Sequence, residues 1–403
     1  MMYEPLKSTS FFARELLLKI EKTKISLLIG VPKETNPSEK RLALTPEAVS
    51  LLVDAGHRVM VEREAGLSIN YSDRYYSESG ALIVDSPEEV FQADIIVKIG
   101  TPTYAEVLMM KPRTTVFSFL QLILFSKQTI ELMLEKRISA IAYELMYDTS
   151  TGASPFVTAI SEIEGATAIT LASELMSNAH GGKGILLGGV PGISPTEVVI
   201  IGAGVAGTIA ARAAFALGAM VKVFDDDVNK LRTIQRTLGR TFFTSTFHPN
   251  VLRNTFRSAD VVIGAMQYVN QTHRYVISAD LVRELKKGAL IIDLRMAYGG
   301  CFETTAEACL PDAPAVFERF GVLHFCEMNV SSRVARTSSM AISNIFASMF
   351  ASMGEYGGIG GLAKADRGFA SGFYLFSGKP VNSYVGNWFN LPVNDLGLFL
   401  TGF

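Results

Sequence analysis

Three glycines in the spacing Gly202-x-Gly204-x-x-Gly207 follow directly on the apolar run Val198 to Ile201, and a small-residue helical pattern begins at once behind them. Glycines so placed, with Ala206 in the same turn, let the backbone bend tightly and approach a pyrophosphate. The phosphate charge then meets the exposed N–H groups and positive end of the helix. Asp225 closes the next strand-like run, 18 residues past Gly207, where a carboxylate can bind both ribose hydroxyls. The same glycines would also allow close helix–strand packing with no ligand. The strand before them, the helix after them and the acid beyond together favour a dinucleotide. Asp226 and Asp227 would repel a 2′-phosphate, so the pattern points to NAD rather than NADP.

Two more polar residues stand near the ends of strand-like runs. In "DIIVKIG", Lys98 points to the side of Gly100, because strand residues two apart face the same way. It either reaches a bound carboxylate, or serves as a desolvated base, or snorkels past the strand edge. In "FSFLQL", residues 117 to 122, the polar side chains are Ser118 and Gln121. An amide cannot titrate, so Gln121 can orient a carbonyl or a water but cannot carry a proton. Among the histidines, His57 reads as a helix-end residue, His248 and His273 lie in polar loop-like stretches, and His324 alternates within a strand as a satisfied core residue. His180, opening a Gly-rich loop, either approaches a cleft or is simply solvated.

The elements that must position these groups are legible as alternation. Apolar runs rich in β-branched residues ("SLLIGV", "RVMVE", "ALIVD", "DIIVKIG", "TTVFSFL", "SAIAYEL") recur with helical patterns between them, and after the Gly-rich stretch 180–195 the alternation restarts with "EVVIIG", "MVKVFD", "ADVVIGA", "ALIIDL" and "GVLHFC". Strand–helix alternation implies parallel sheets covered on both faces, so the fold class is α/β with two doubly wound domains. Between them, 161–178 has helical spacing with Ser161 and Glu164 placed as a capping box, and a second helical pattern begins at 336. The C-terminal part is then free to fold back, which makes the first domain discontinuous. The expected division is a flavodoxin-like substrate domain, 1–154 with 336–403, and an inserted Rossmann NAD-binding domain, 155–335.

At 403 residues the chain is long enough for two cores, and at 48% hydrophobic it is globular. The formal charge of -2 offers no field for nucleic acid or an anionic membrane, which leaves a small-molecule partner. Cys301, Cys309 and Cys326 are odd in number with no C-x-x-C pair, so neither a disulfide framework nor a metal site is expected. No secretory h-region follows the N-terminus, read as a short amphipathic helix, and the longest nearly apolar run, Val198 to Ala211, is too short to span a bilayer. A cytoplasmic location is expected.

The stretches "IGVPKETNPSEKRLALTPEAV" (29–49), "HGGKGILLGGVPGI" (180–193), "VVIIGAGVAG" (198–207) and "DLRMAYGGCFE" (293–303) resemble the signatures of alanine dehydrogenase and of the NAD-binding subunit of nicotinamide nucleotide transhydrogenase. The resemblance runs from about Ile29 to near the C-terminus, leans to alanine dehydrogenase, and implies a cleft between a discontinuous substrate domain and an inserted Rossmann domain. It implies that Arg41 clamps a substrate carboxylate, a task suited to a planar fork, where an arbitrary arginine would instead pair with Glu39 at the surface. It also implies that Ser161, Lys230 and Asn329 lie near the cofactor and that Met266 packs on its adenosine side. By themselves these four read as a helix cap, a solvated charge, a polar residue and a core residue.

Three positions depart from the resemblance. Alanine dehydrogenases carry histidine where Gln121 stands, lysine where Gly100 stands and aspartate where Ala297 stands. Oxidising an amine yields an iminium that water attacks, and each step moves a proton. The transhydrogenase subunits also have a non-acidic residue at the Ala297 position and lack the histidine at the Gln121 position, but their hydride exchange needs an NADP-binding partner and a membrane channel that nothing in this chain supplies. The expected function is therefore an alanine dehydrogenase-like, NAD-dependent oxidoreductase acting on an amino acid or 2-oxo acid through Arg41, Lys98 and Gln121. The alternatives are a non-catalytic NAD(H)-binding sensor or partner subunit, and an oxidoreductase for another amino acid or an opine-type amine. Tyr298, Arg295 and Glu327 are further candidates for the site. The resemblance also implies a homo-oligomer, hexamer or dimer.

Overall fold

The computed structural model describes residues 25–266, 276–306 and 314–400; the N-terminal helical pattern, His273, Cys309 and the side chain of Tyr298 lie outside what is described. The β-branched runs form strands β1 (Leu28–Val31), β2 (Arg58–Glu62), β3 (Leu82–Val84), β4 (Ile95–Val97), β5 (Thr115–Ser118) and β6 (Ser139–Ala142) in the first half. There follow β7 (Glu197–Ile201), β8 (Met220–Phe224), β9 (Phe243–Ser245), β10 (Val261–Gly264), β11 (Leu290–Asp293), β12 (Val316–Arg319), β13 (Val322–Phe325), β14 (Phe373–Phe376) and β15 (Lys379–Pro380).

One sheet has the order β15-β14-β6-β5-β4-β1-β2-β3, with β1 to β6 parallel and the two late strands added antiparallel. The chain thus returns from its C-terminal part to complete the sheet it began. Strands buried on both faces read as nearly continuous apolar runs, as β4 does with Ile-Ile-Val. Ile95 and Val97 face a core with Phe346 and Phe350 of helix Ala335–Glu355, whereas Ile96 faces the opposite core with Val107 and Ile130.

The second sheet has the order β12-β13-β11-β10-β7-β8-β9, parallel except for the β12–β13 hairpin. Counted from β7 the parallel strands run 3-2-1-4-5-6, the dinucleotide-binding order. The first sheet, counted from β1, has the same order with β14 and β15 added beyond β6, and the doubly wound expectation holds. Strand runs alone fix how many strands there are and leave their order open. In both sheets the winding reverses beside the first strand, between β1 and β4 and between β7 and β10. Loops diverge there and open a crevice at the strands' carboxyl ends.

Helix Pro155–Leu175 joins the two cores, with Phe156 and Ile160 in one and Ala168, Ile169, Leu171 and Ala172 in the other. It starts earlier than its sequence pattern suggests. Ser154 is its N-cap, accepting from the Val157 N–H, with proline at the first helical position. Ser161 and Glu164 are therefore buried mid-helix residues and not a capping box. A Cβ on Gly165 would lie 2.3 Å from the Ala206 carbonyl oxygen, so glycine there lets this helix cross helix Val205–Ala216 backbone to backbone.

Candidate active site

A cavity of about 390 Å³ opens where the carboxyl ends of both sheets meet. Its walls include Arg41, Lys98, Gly100 and Gln121 from the first sheet's loops, Ser161 and Glu164 from the bridging helix, and Arg295, Ala297 and Asn329 from the loops after β11 and β13. Five of the residues expected at the site from sequence, Arg41, Lys98, Gln121, Ser161 and Asn329, thus share one space.

The segment carrying Arg41 has no regular structure of its own and is pinned by serines nearly three hundred positions away. Ser332, Ser339 and Ser343 accept hydrogen bonds from the backbone N–H groups of Lys40, Leu42 and Thr45, each at 2.8 Å. Arg41 is buried. Its Nε and Nη2 donate to the two Glu39 oxygens at 2.7 and 2.6 Å and Nη1 donates to Ser331 at 2.9 Å. The expected pairing with Glu39 exists, though in the interior and not at the surface. A guanidinium has five N–H donors, so one remains on each of Nη1 and Nη2, enough to receive a carboxylate. Asn329 Nδ2 also donates to Glu39, at 3.2 Å, which ties the second sheet's loop to the same ion pair.

Lys98 is 2% exposed, which corrects the snorkelling alternative. Its Nζ lies 2.7 Å from Glu106 and 3.6 Å from Glu34. Burial by itself would push the ammonium's pKa down, but the two carboxylates outweigh burial and the net direction is up. A lysine so held is a fixed cation, and the base alternative is corrected too. Glu34 accepts the N–H groups of Ile99 at 2.5 Å and of Gly100 at 3.3 Å, while Glu106 caps its helix through the Thr103 N–H. Burial nevertheless raises the pKa of Glu34, with Lys98 acting the other way. A Cβ on Gly100 would meet Glu34 Oε2 at 3.0 Å, so this lysine-free position lies directly against a carboxylate.

Gln121 follows β5 and immediately precedes the short turn Leu122–Leu124. Among the described residues its amide makes no hydrogen bond, so it is available to a ligand. Ala297, in the turn after β11, contributes only a methyl group.

The glycine loop lies at the carboxyl end of β7, outside the cavity walls. Gly202 has φ +112°, and a Cβ on Gly207 would come 1.9 Å from the Gly202 carbonyl oxygen, which reserves both positions for glycine. A Cβ on Gly204 would meet nothing within 4 Å, so there is open space before helix Val205–Ala216, and no side chain caps that helix. Its first N–H groups are left for an anion. Asp225 is buried, accepting from the Ala203 N–H at 2.7 Å and the Asp227 N–H at 2.9 Å. Beside it, partial burial and the Asp225 charge raise the pKa of Asp226, with Lys230 opposing. Lys230 is exposed on helix Val228–Leu238, Ala206 is buried in the helix's first turn, and Met266 is buried with its Cβ 2.9 Å from the position a Gly202 Cβ would take. These residues fit a dinucleotide.

Other candidates lie elsewhere. His180 pairs with Glu174 at 3.2 Å on the surface and Glu327 with Arg333 at 2.6 Å. Buried His324 bonds Thr304 and the Val322 carbonyl and stacks on Phe317, and burial pushes its pKa down to about 4. Sequence reasoning missed Glu34, Glu106 and Glu164. The signal for Glu164 was present, since a helix started at Ser154-Pro155 puts 157, 160, 161 and 164 on one face. Among the described residues no helix is long and apolar enough to cross a membrane, and no group of side chains is placed to hold a metal ion.

Two family models match, "Alanine dehydrogenase/PNT, N-terminal domain" over residues 30–164 and "Alanine dehydrogenase/PNT, C-terminal domain" over 168–383. The alanine dehydrogenase of Methanococcus maripaludis is 35% identical over 79% of this chain and 85% of its own. That of Staphylococcus saprophyticus is 33% identical over 92% and 99%. A solved L-alanine dehydrogenase superposes with a TM-score of 0.83 at 30% identity, covering 90% of this chain and 99% of its own. A transhydrogenase from Sinorhizobium meliloti, at 21% identity and TM-score 0.72 over 89% and 99%, shares the fold. The chain belongs to the alanine dehydrogenase/PNT family.

Proposed function

We propose that this protein oxidises an amino acid to its 2-oxo acid and ammonia with NAD+, or runs the reverse reaction, with L-alanine and pyruvate as the expected pair. The observation that carries this reading is the shared cavity, where a carboxylate-ready guanidinium, Arg41, stands among residues from both sheets. The glycine loop, Asp225 and Met266 hold NAD(H), which supplies the hydride acceptor or donor when bound. Arg41 fixes the substrate carboxylate, and Lys98, held between Glu34 and Glu106, keeps the cavity's acidic wall in place. Gln121 orients the carbonyl or the attacking water through its amide. Ser161 and Asn329 stand at the boundary between the two lobes, where cofactor and substrate must meet. A cytoplasmic homo-oligomer completes the proposal, its size readable by sedimentation.

The test is NADH oxidation with pyruvate and ammonium, with NADH binding followed in the same preparation by nicotinamide fluorescence. Turnover with saturable dependence on both substrates is expected. Binding without turnover would overturn the activity and leave a nucleotide-binding sensor, a reading that Gln121 and Ala297 favour because neither can move a proton.

A further inference from the structure

Resting on that reading, the site still needs a group that moves a proton, and Gln121, Gly100 and Ala297 cannot supply it. Three carboxylates line the cavity, those of Glu34, Glu39 and Glu164. Glu39 is locked to Arg41, and Glu34 is engaged by two backbone N–H groups and Lys98. Glu164 differs. It is 8% exposed, lines the cavity, and makes no hydrogen bond among the described residues. Val157, Ile160, Ser161 and Glu164 recur at helical spacing along one face of helix Pro155–Leu175, and all four line the cavity. The carboxyl is therefore presented to the ligand space by a rigid helix held in both cores.

We propose that Glu164 is the acid–base residue of this site, the group that takes a proton from the substrate amine during oxidation and returns one during reduction. In the oxidative direction the substrate ammonium gives one proton to Glu164. The Cα–H bond then breaks with both electrons leaving as hydride to the oxidised cofactor, and the nitrogen lone pair forms the C=N bond of an iminium. Water oxygen bonds to that carbon and passes one proton to nitrogen. The C–N bond breaks, the remaining hydroxyl proton leaves with ammonia as ammonium, and the 2-oxo acid is formed. The proton stored on Glu164 is the one released to solvent, which balances the reaction.

The surroundings suit the task. Burial raises the pKa of Glu164 above the ordinary carboxylate value, while Arg295 and Arg41 pull it back. The charge of Arg295 acts on it from the turn after β11 and that of Arg41 from the loop after β1. Helix Val205–Ala216 packs against the same helix with Ala206 and Ala210, its Arg212 being exposed. In the turn Val330–Val334, Arg333 is taken by Glu327, and on helix Ala335–Glu355, Arg336 lies over Tyr71. Tyr143, at the first domain's side, donates to the Ile99 carbonyl, and Glu174 at the far end of the helix meets His180.

Glu164→Gln keeps the shape and removes the titration. Expected is a fall in kcat of about 10²-fold or more, with loss of the pH limb that rises in oxidation and falls in reduction. NADH affinity, read by nicotinamide fluorescence, should be unchanged. In the nucleotide-free protein, the infrared titration of the wild type minus that of the variant should show one carboxyl stretch, over and above those that Glu144 and Glu34 give in both. Glu164→Asp should restore part of kcat together with a limb. Arg295→Gln removes a charge that pulls the pKa down, so its limb should move to higher pH. A limb that persists in Glu164→Gln, with no carboxyl band in the wild-type-minus-variant difference, overturns this inference alone. A wild type that binds NADH but turns over no amino acid overturns the activity reading, and this inference with it.

Discussion

Two sheets of the same strand order end in two differently built sites. The glycine loop offers backbone N–H groups, and its glycines are fixed by backbone distances as short as the 1.9 Å that a Gly207 Cβ would have. The cavity beside the first sheet is made of side chains, in which three guanidinium or ammonium groups are interleaved with carboxylates. A site built on backbone tolerates little change and stays readable. A site built on side chains can exchange its chemistry residue by residue on an unchanged scaffold.

The sharpest way to break that contrast is Arg41→Ala. It leaves Glu39 buried with its main partner gone, and removing one member of a buried pair costs about 3–5 kcal/mol. Denaturant unfolding should register that loss, and the Michaelis constant for the 2-oxo acid should rise steeply. An unaffected constant would remove the clamp role.

The next effect comes from Glu144 in the turn after β6. Its Oε1 accepts from the Leu120 N–H at 2.7 Å, its Oε2 is enclosed with no partner, and burial pushes its pKa up to about 8. Between about 4.5 and about 8 the folded chain keeps a proton that the unfolded chain has lost, so stability falls as pH rises through that window. Glu144→Gln keeps the acceptor for Leu120 and removes the titration. It should be more stable than the wild type by a few kcal/mol above the window, with the gap closing below it. Parallel curves across the pH range would refute the assignment.

Asp225→Ala tests the backbone-built site. The Ala203 and Asp227 N–H groups lose their acceptor and the ribose loses its partner, so NADH should bind about tenfold more weakly, roughly the worth of one good hydrogen bond. Calorimetry that finds unchanged affinity would remove the cofactor assignment at this residue.

How much of this was legible follows the same line. Strand runs such as "EVVIIG" and the glycine spacing are local, so β7, the turn and Asp225 could be read directly. The start of helix Pro155–Leu175 was misplaced because Ser161 and Glu164 have the capping-box spacing, and only the burial of both residues shows that the earlier Ser154-Pro155 pair is the true start. Lys98 was left open between a surface and a buried role because its partners, Glu34 and Glu106, come from other segments. The serines that hold the Arg41 segment are nearly three hundred residues away and carry no local signal.

The smallest effect completes the contrast within the nucleotide site itself. Lys230 and Asp225 both follow β8, but Lys230 is exposed on its helix while Asp225 is 1% exposed. A charge in water that attracts a phosphate or a neighbouring acid such as Asp226 is screened, and exposed pairs are worth about 0.2–1 kcal/mol. Lys230→Ala should therefore weaken NADH binding by less than about fivefold, and the loss should vanish at high salt, whereas the Asp225→Ala loss should persist. Equal salt dependence of the two variants would mean that the glycine-loop site owes its affinity to long-range charge and not to fixed backbone geometry.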